Sequence, residues 1–127
     1  MQISDFPAAA AFLSVLHSAG DFKTRTPRDL YWQAAAVSLA LIAVPLLIML
    51  LFPAAGAILL AVTAALLAVP MAAATARRLH DVSRSAWWTL CILVPAAGLA
   101  VLIFWTVRRG DSGDNFYGAD PAPIPHF

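Results

Sequence analysis

Charge is scarce in this sequence, and what there is of it is unevenly placed. Only 12% of the 127 residues are Asp, Glu, Lys or Arg, whereas about 25% is usual in a soluble domain. No charge occurs in the 47 residues from Leu30 to Ala76 or in the 23 residues from Ser85 to Val107. Both runs exceed the roughly 18 apolar residues that indicate a transmembrane helix. The composition therefore excludes an ordinary soluble domain and predicts one integral membrane domain, residues 1–127.

Other absences exclude further classes of protein. The single cysteine, Cys91, excludes an internal disulfide and a cysteine metal site, and we expect it to be a small buried hydrophobe. A net charge of +1 gives no sign of nucleic-acid binding. No Lys or Arg precedes the apolar residues 6–16, which argues against a cleaved signal peptide. We therefore expect no nucleic-acid partner, no metal and no cofactor.

The long uncharged runs predict an all-α membrane protein with three transmembrane helices, at about residues 30–52, 57–76 and 87–107. The first run is too long for one span of roughly 20 residues, and Pro53 and Gly56 supply a turn at residues 52–56. Basic residues flank these two spans, and the turn between them has none, so we expect the turn outside and the basic segments inside.

The third span ends in a polar tail, residues 108–127, which we expect to be irregular because Gly, Asp, Asn and Pro recur there. We favour full crossing of residues 87–107, with tryptophan near both ends, which puts the tail outside. The alternative is a break at Pro95–Gly98 and a return, which would leave all eight basic residues inside. Asp114 and Asp120 could then meet Arg77 and Arg78.

The N-terminal segment, residues 1–29, contains a short apolar stretch at residues 7–18 that predicts a helix. It is too short to span, so it either lies in the membrane interface or packs against the end of the bundle. We expect Lys23, Arg25 and Arg28 to meet anionic head groups, and Thr26 to cap the first span.

The loop between the second and third spans concentrates polar chemistry in the sequence RRLHDVSRSAWW, residues 77–88. If the second span continues as a helix, two i,i+4 pairs form, Arg77 with Asp81 and His80 with Arg84. An exposed pair of this kind contributes only about 0.3–0.5 kcal/mol, so stability does not explain the cluster. A catalytic His80–Asp81 pair would also need a nucleophile or metal, which the sequence does not provide. We predict that the cluster contacts lipid or a partner through Arg77, Arg78, His80, Asp81, Arg84, Trp87 and Trp88.

Three motifs together resemble the small bacterial inner-membrane proteins grouped as domain of unknown function 805. The N-terminal motif comprises Phe22, Arg25, Arg28, Tyr31 and Trp32. The loop motif comprises Arg78, Leu79, His80, Asp81, Trp87 and Trp88. The tail motif comprises Gly110, Gly113, Asn115, Tyr117, Gly118, Asp120 and Pro121. The sequence departs from the family pattern at Thr24, Ser83 and Ala86, where the family often has glycine. The resemblance implies a bacterial plasma-membrane location and no particular activity.

Three functional hypotheses follow. The first is a structural or accessory membrane protein acting through lipid or protein contacts. The second is a subunit of an oligomeric transporter or channel, although no predicted span holds a charged residue. The third is an enzyme that uses His80 and Asp81, which we do not expect. Membrane lipid is the predicted partner, with a second copy or another membrane protein as further possibilities.

Overall fold

The computed structural model describes residues 5–121, so parts of the predicted N-terminal segment and tail, residues 1–4 and 122–127, lie outside it. The described part of the chain forms four α-helices and one 3-10 helix and contains no β-strand, only an isolated bridge between Asn115 and Gly118. The helices are α1 (Pro7–His17), α2 (Arg28–Leu51), α3 (Pro53–Asp81), a 3-10 helix (Ala86–Leu93) and α4 (Ala97–Val107).

Two helices, α2 and α3, form an antiparallel hairpin and are long and apolar enough to cross a membrane. They contain 24 and 29 residues, which correspond to about 36 and 44 Å at 1.5 Å per residue. The turn between them is tighter than predicted, because only Phe52 is non-helical and Pro53 already occupies the first turn of α3. Gly56 lets the two helices approach here, since a Cβ at this position would overlap Met49.

The predicted third span is wrong, because residues 86–107 turn back within the membrane region. The 3-10 helix and α4 have 8 and 11 residues, so each is only about 16 Å long, roughly half of a 30 Å hydrocarbon core. Pro95 ends the first arm. Ala96 has φ +60° and ψ −66°, and the amide of Ala97 donates to the Pro95 carbonyl at 2.7 Å. We call residues 86–107 the re-entrant hairpin.

The hairpin closes at Gly98, where a Cβ would overlap the carbonyl of Cys91 in the opposite arm. Its second arm returns the chain to the end of the bundle from which it came. The amide of Asp111 donates to the carbonyl of Asp81, the last residue of α3, at 2.7 Å. All eight Lys and Arg residues therefore lie at one end of the molecule, which we call the basic end; they are Lys23, Arg25, Arg28, Arg77, Arg78, Arg84, Arg108 and Arg109.

The N-terminal helix α1 packs on the bundle at this same end. Val15 is fully buried in a cluster with Tyr31, Ala34 and Ala74, so the packing of α1 matches the expectation of a helix against the bundle end. Leu13 stays exposed on the opposite face. A location in the membrane interface is compatible with that face and stays a prediction.

Candidate functional site

A buried carboxylate, Asp81, lies at the centre of the basic end. Its Oδ1 accepts a hydrogen bond from Nε of Arg25 at 3.0 Å and forms an ion pair with Nη2 of the same residue, also at 3.0 Å, and its Oδ2 accepts a hydrogen bond from Nη1 of Arg78. The side chain of Arg25 is 1% exposed, that of Asp81 is 2% exposed and that of Arg78 is 0% exposed. Charges this deeply buried need partners for every donor and acceptor.

The remaining donors of the two arginines bind backbone carbonyls from distant parts of the chain. Arg25 donates to the carbonyls of Gly113 and Asp111, each at 2.7 Å. Arg78 donates through Nε to the carbonyl of Thr106 at 3.0 Å and through Nη2 to that of Arg108. These two side chains thus join the N-terminal segment, α3, α4 and the tail.

A third arginine, Arg77, fixes the loop that precedes α2. Its Nη1 donates to the carbonyls of Ser18 and Asp21, each at 2.7 Å, and its Nε donates to the Thr26 hydroxyl at 2.9 Å. The predicted cap by Thr26 is therefore wrong, because Pro27 precedes the helix and the Thr26 hydroxyl faces Arg77. We call Arg25, Arg77, Arg78 and Asp81 the buried charge cluster.

The loop preceding α2 carries its own carboxylate, Asp21. The hydroxyl of Thr24 donates to Asp21, and the amides of Lys23 and Thr24 donate to it at 2.9 and 3.2 Å. The Thr24 hydroxyl and these amides lower the pKa of Asp21 below its usual value. Asp21 therefore holds the loop closed in its ionised form.

His80 lies between the N-terminal segment and the tail. Its Nδ1 donates to the Thr24 carbonyl at 3.1 Å, and its ring stacks on Tyr117 with centroids 4.0 Å apart and planes 4° apart. The amide of Asn115 donates to the carbonyl of His80 at 2.8 Å. His80 and Asp81, the pair that we did not expect to be catalytic, thus both have their polar groups engaged by other parts of this chain.

The tail motif forms a tight turn over these residues. Asn115 and Gly118 exchange backbone hydrogen bonds of 3.0 and 3.1 Å, and the amide of Gly113 donates to Asp120 at 2.8 Å. Gly113 and Gly118 have φ of +74° and +133°, a region that glycine adopts without strain. Arg25 binds the tail through the carbonyls of Gly113 and Gly118, whereas contacts of Asp114 and Asp120 with Arg77 and Arg78, which the alternative topology would allow, stay a prediction.

The seven residues predicted from the loop separate into an inward and an outward group. Arg77, Arg78, His80 and Asp81 are 3%, 0%, 4% and 1% exposed, so the predicted exposed i,i+4 pairs are wrong. Asp81 pairs with Arg78 and with Arg25, which is 56 positions away. Arg84, Trp87 and Trp88 form the outward group.

The outward group has the chemistry of a membrane interface. The guanidinium of Arg84 lies over the ring of Trp105, 3.9 Å from the centroid. Trp87 is 77% exposed and Trp88 is 38% exposed. Whether these residues contact lipid or a partner stays a prediction.

Several structural residues of this end were missed or misjudged from the sequence. The sequence predicts Arg25 at lipid head groups, but the residue belongs to the buried charge cluster. Its presence in the N-terminal motif is the feature of the sequence that could have indicated this structural role. Gly110 lies so close to Asp81 that a Cβ would overlap its carboxylate, and Thr106 supplies a carbonyl to both Arg78 and Trp32. Within residues 5–121, no group of three His, Cys, Asp or Glu side chains is arranged to hold a metal ion.

Comparison with known proteins identifies the family of this chain. The sequence matches the family described as "Protein of unknown function (DUF805)" over residues 19–119, a stretch that includes all four members of the buried charge cluster. The chain belongs to this family. No solved structure matches it.

Two relatives of this DUF805 protein come from Escherichia coli (strain K12). It is 36% identical to "Inner membrane protein YhaH" over 118 residues, which are 90% of this chain and 98% of the relative. It is 35% identical to "Inner membrane protein YhaI" over 114 residues, 87% of this chain and 93% of the relative. The DUF805 protein is accordingly a bacterial inner-membrane protein, and neither relative's name carries an enzymatic activity.

Proposed function

We propose that this DUF805 protein is a structural or accessory protein of the inner membrane that acts through contacts of its basic end, without a chemical step. The observation that carries the proposal is the division of the loop cluster into two groups. The inward group is committed to internal partners, which leaves neither the carboxylate of Asp81 nor the ring of His80 open to a substrate. The outward group presents Arg84, Trp87 and Trp88 to the surroundings.

Anionic lipid is the partner that fits this surface. Tryptophan favours the head-group level of a bilayer, and a basic residue near an anionic leaflet contributes about 1 kcal/mol of attraction. Arg84 combines the two features, because its guanidinium, which would attract an anionic head group, lies over the ring of Trp105. Phe116 of the tail, 94% exposed, adds a further apolar anchor at the same end.

The test is the lipid selectivity of the reconstituted protein. Spin-labelled phosphatidylglycerol and phosphatidylcholine would be compared at the protein surface, in the wild type and in an Arg84→Gln, Trp87→Ala variant. We expect the preference for the anionic lipid to fall in that variant. Phe52→Ala, which removes an exposed aromatic side chain at the opposite end, should leave it unchanged. Equal preference in all three proteins would contradict the proposal, as would a substrate turnover that His80→Ala abolishes.

A second candidate function is a subunit of an oligomeric transporter or channel. The tip of the re-entrant hairpin supports it, because Pro95, Ala96 and Ala97 are exposed and broken backbone at membrane depth needs protein or water around it. A cysteine introduced by Ala96→Cys, in a Cys91→Ser background, should form a cross-linked dimer in the membrane if tips meet. Absence of this cross-link at any oxidant concentration would count against tip-to-tip assembly.

A further inference from the structure

We propose that the groove between α2, α3 and α4 holds one acyl chain of an anionic phospholipid, whose phosphate pairs with Arg28. This inference rests on the proposed function in that it takes lipid as the partner, and it adds a defined site to it. The site differs from the outward group at Arg84, Trp87 and Trp88, which contacts lipid at the surface.

The groove has the size and lining of a lipid-chain site. Its volume is about 480 Å³, within the roughly 300–1,000 Å³ of small-molecule pockets. One side is formed by the α2–α3 hairpin and the other by α4 of the re-entrant hairpin. The lining is almost entirely apolar and includes Ala35, Leu39, Ile42, Leu67, Leu99 and Ile103.

A cation stands at the basic end of the groove. Arg28 lies one helical turn before Trp32, which lines the groove, and its Nη1 donates to the carbonyl of Val107 at 3.4 Å. Its side chain is 44% exposed, and its nearest carboxylate, Asp29, is 4.0 Å away and itself 87% exposed. A long contact with a solvated carboxylate leaves the guanidinium able to bind a phosphate, whose geometry its planar fork matches.

The rest of the mouth favours a lipid with net negative charge. The end of α4 brings Arg108 and Arg109 directly after Val107, which adds positive charge to this end of the molecule; the guanidinium of Arg108 itself lies over the rings of Phe104 and Trp105. A zwitterionic lipid would bring a second cation into this region. An anionic phospholipid brings only the phosphate and is therefore the complementary ligand.

The dimensions of the groove favour an acyl chain over a helix from a second copy. The wall formed by α4 has 11 residues, about 16 Å, so it covers roughly one leaflet of a bilayer. A transmembrane helix of a partner would extend through both leaflets and would cover Arg28 with apolar side chains. A chain from the adjacent leaflet fills the groove and leaves its phosphate at the guanidinium.

The experiment is native mass spectrometry of the full chain released from nanodiscs that contain equal parts of phosphatidylglycerol and phosphatidylcholine. We expect one retained phosphatidylglycerol on the wild type. Arg28→Gln should weaken its affinity about tenfold, as expected for loss of one charged hydrogen-bonded partner. Lys23→Gln is the matched control, since it removes one exposed charge from the same end but from outside the groove.

The apolar part of the site is tested with two neighbouring alanines of α3. Ala64 lines the groove, whereas Ala65, which is also exposed, does not. Ala64→Phe should fill the groove and abolish retention of the lipid, and Ala65→Phe should preserve it. Because the Phe pair leaves every charge in place, it keeps the proposal testable even if Arg28→Gln fails to fold.

Three outcomes would overturn the proposal. Equal weakening by Arg28→Gln and Lys23→Gln would show a diffuse charge effect, and anionic selectivity at Arg84 and Trp87 would then stand without a groove site. Retention of lipid by Ala64→Phe would place the lipid elsewhere. A dimer that Ala64→Phe dissociates would show that a second copy, and no lipid, occupies the groove.

Discussion

The carboxylate of Asp81 pairs with two buried arginines from different segments, Arg25 and Arg78. Asp81→Asn would leave their charges buried without an anion, and removal of one partner from a buried ion pair costs about 3–5 kcal/mol. We expect the free energy of unfolding to fall by this order, measured by denaturant titration in detergent with circular dichroism.

The control is Asp29→Asn, which removes an aspartate whose side chain is 87% exposed. Exposed ion pairs contribute only about 0–1 kcal/mol, so this variant should unfold close to the wild type. Comparable losses from the two substitutions would show that burial of Asp81 does not determine its contribution.

Ser83, two residues after the end of α3, has a backbone conformation suited to glycine. Its φ is +56°, and the amides of Arg84 and Ser83 donate to the carbonyls of Leu79 and His80 at 2.9 and 3.1 Å, a Schellman arrangement. Because a Cβ costs about 1–2 kcal/mol in this region, Ser83→Gly should be more stable than Ser83→Ala by about 1 kcal/mol. Both lose the hydroxyl contacts with Asp111 and Asn115, so thermal unfolding of the pair isolates the backbone effect. Equal melting temperatures would contradict it.

The sequence identified which residues carry polar chemistry but not which way they face. The loop motif was recognised from residues that lie close together in the chain. Burial of Arg78 depends on a partner, Asp81, that also needs Arg25, and charged residues are rarely buried unless paired. The pairing of Arg25 with Asp81 spans 56 positions, so local periodicity carries no trace of it.

At the scale of elements, length and charge predicted the α2–α3 hairpin but misled at the third span. The 23 uncharged residues from Ser85 to Val107 satisfy the length of a crossing helix. The break at Pro95–Gly98 was visible as an alternative. Whether the chain breaks there depends on contacts between the tail and Asp81 that offset the free-energy cost of interrupting the helix. A hydropathy profile contains no information about such contacts.

Gly98 is the element-scale position at which the re-entrant hairpin can be tested. A Cβ here would overlap the Cys91 carbonyl, a backbone atom that cannot rotate away. Gly98→Ala should therefore force the two arms apart and cost about 1–3 kcal/mol, the usual penalty of overpacking. Thermal unfolding in detergent measures this loss.

Gly20→Ala is the matched control, since a Cβ at Gly20 meets nothing within 4 Å. It should leave the melting temperature nearly unchanged. A Gly98→Ala protein as stable as the Gly20→Ala protein would mean that the arms do not pack closely at Cys91.

At the scale of the whole molecule, the re-entrant hairpin reconciles the chain with the positive-inside rule. Full crossing would have put Arg108 and Arg109 on the opposite side from the other basic residues. With the hairpin, two helices cross and all eight Lys and Arg residues share the basic end. Because basic residues near span ends favour the cytoplasmic side, we predict that the basic end faces the cytoplasm, with α1 and residues 108–121 there.

Reporter fusions and labelling test this topology from both sides. A fluorescent protein fused after Phe127 should be bright and alkaline phosphatase at the same position inactive, since the amide of Asp111 binds the end of α3 and holds the tail at the basic end. A cysteine introduced by Ala55→Cys, with Cys91→Ala, should react with an impermeant thiol reagent in intact cells, because residues 53–56 lie at the opposite end. An active phosphatase together with labelled Ala55→Cys would mean that the third segment crosses, and the re-entrant hairpin would then be wrong. Labelling of Ala55→Cys only after lysis would instead invert the protein and contradict the charge rule on which its orientation rests.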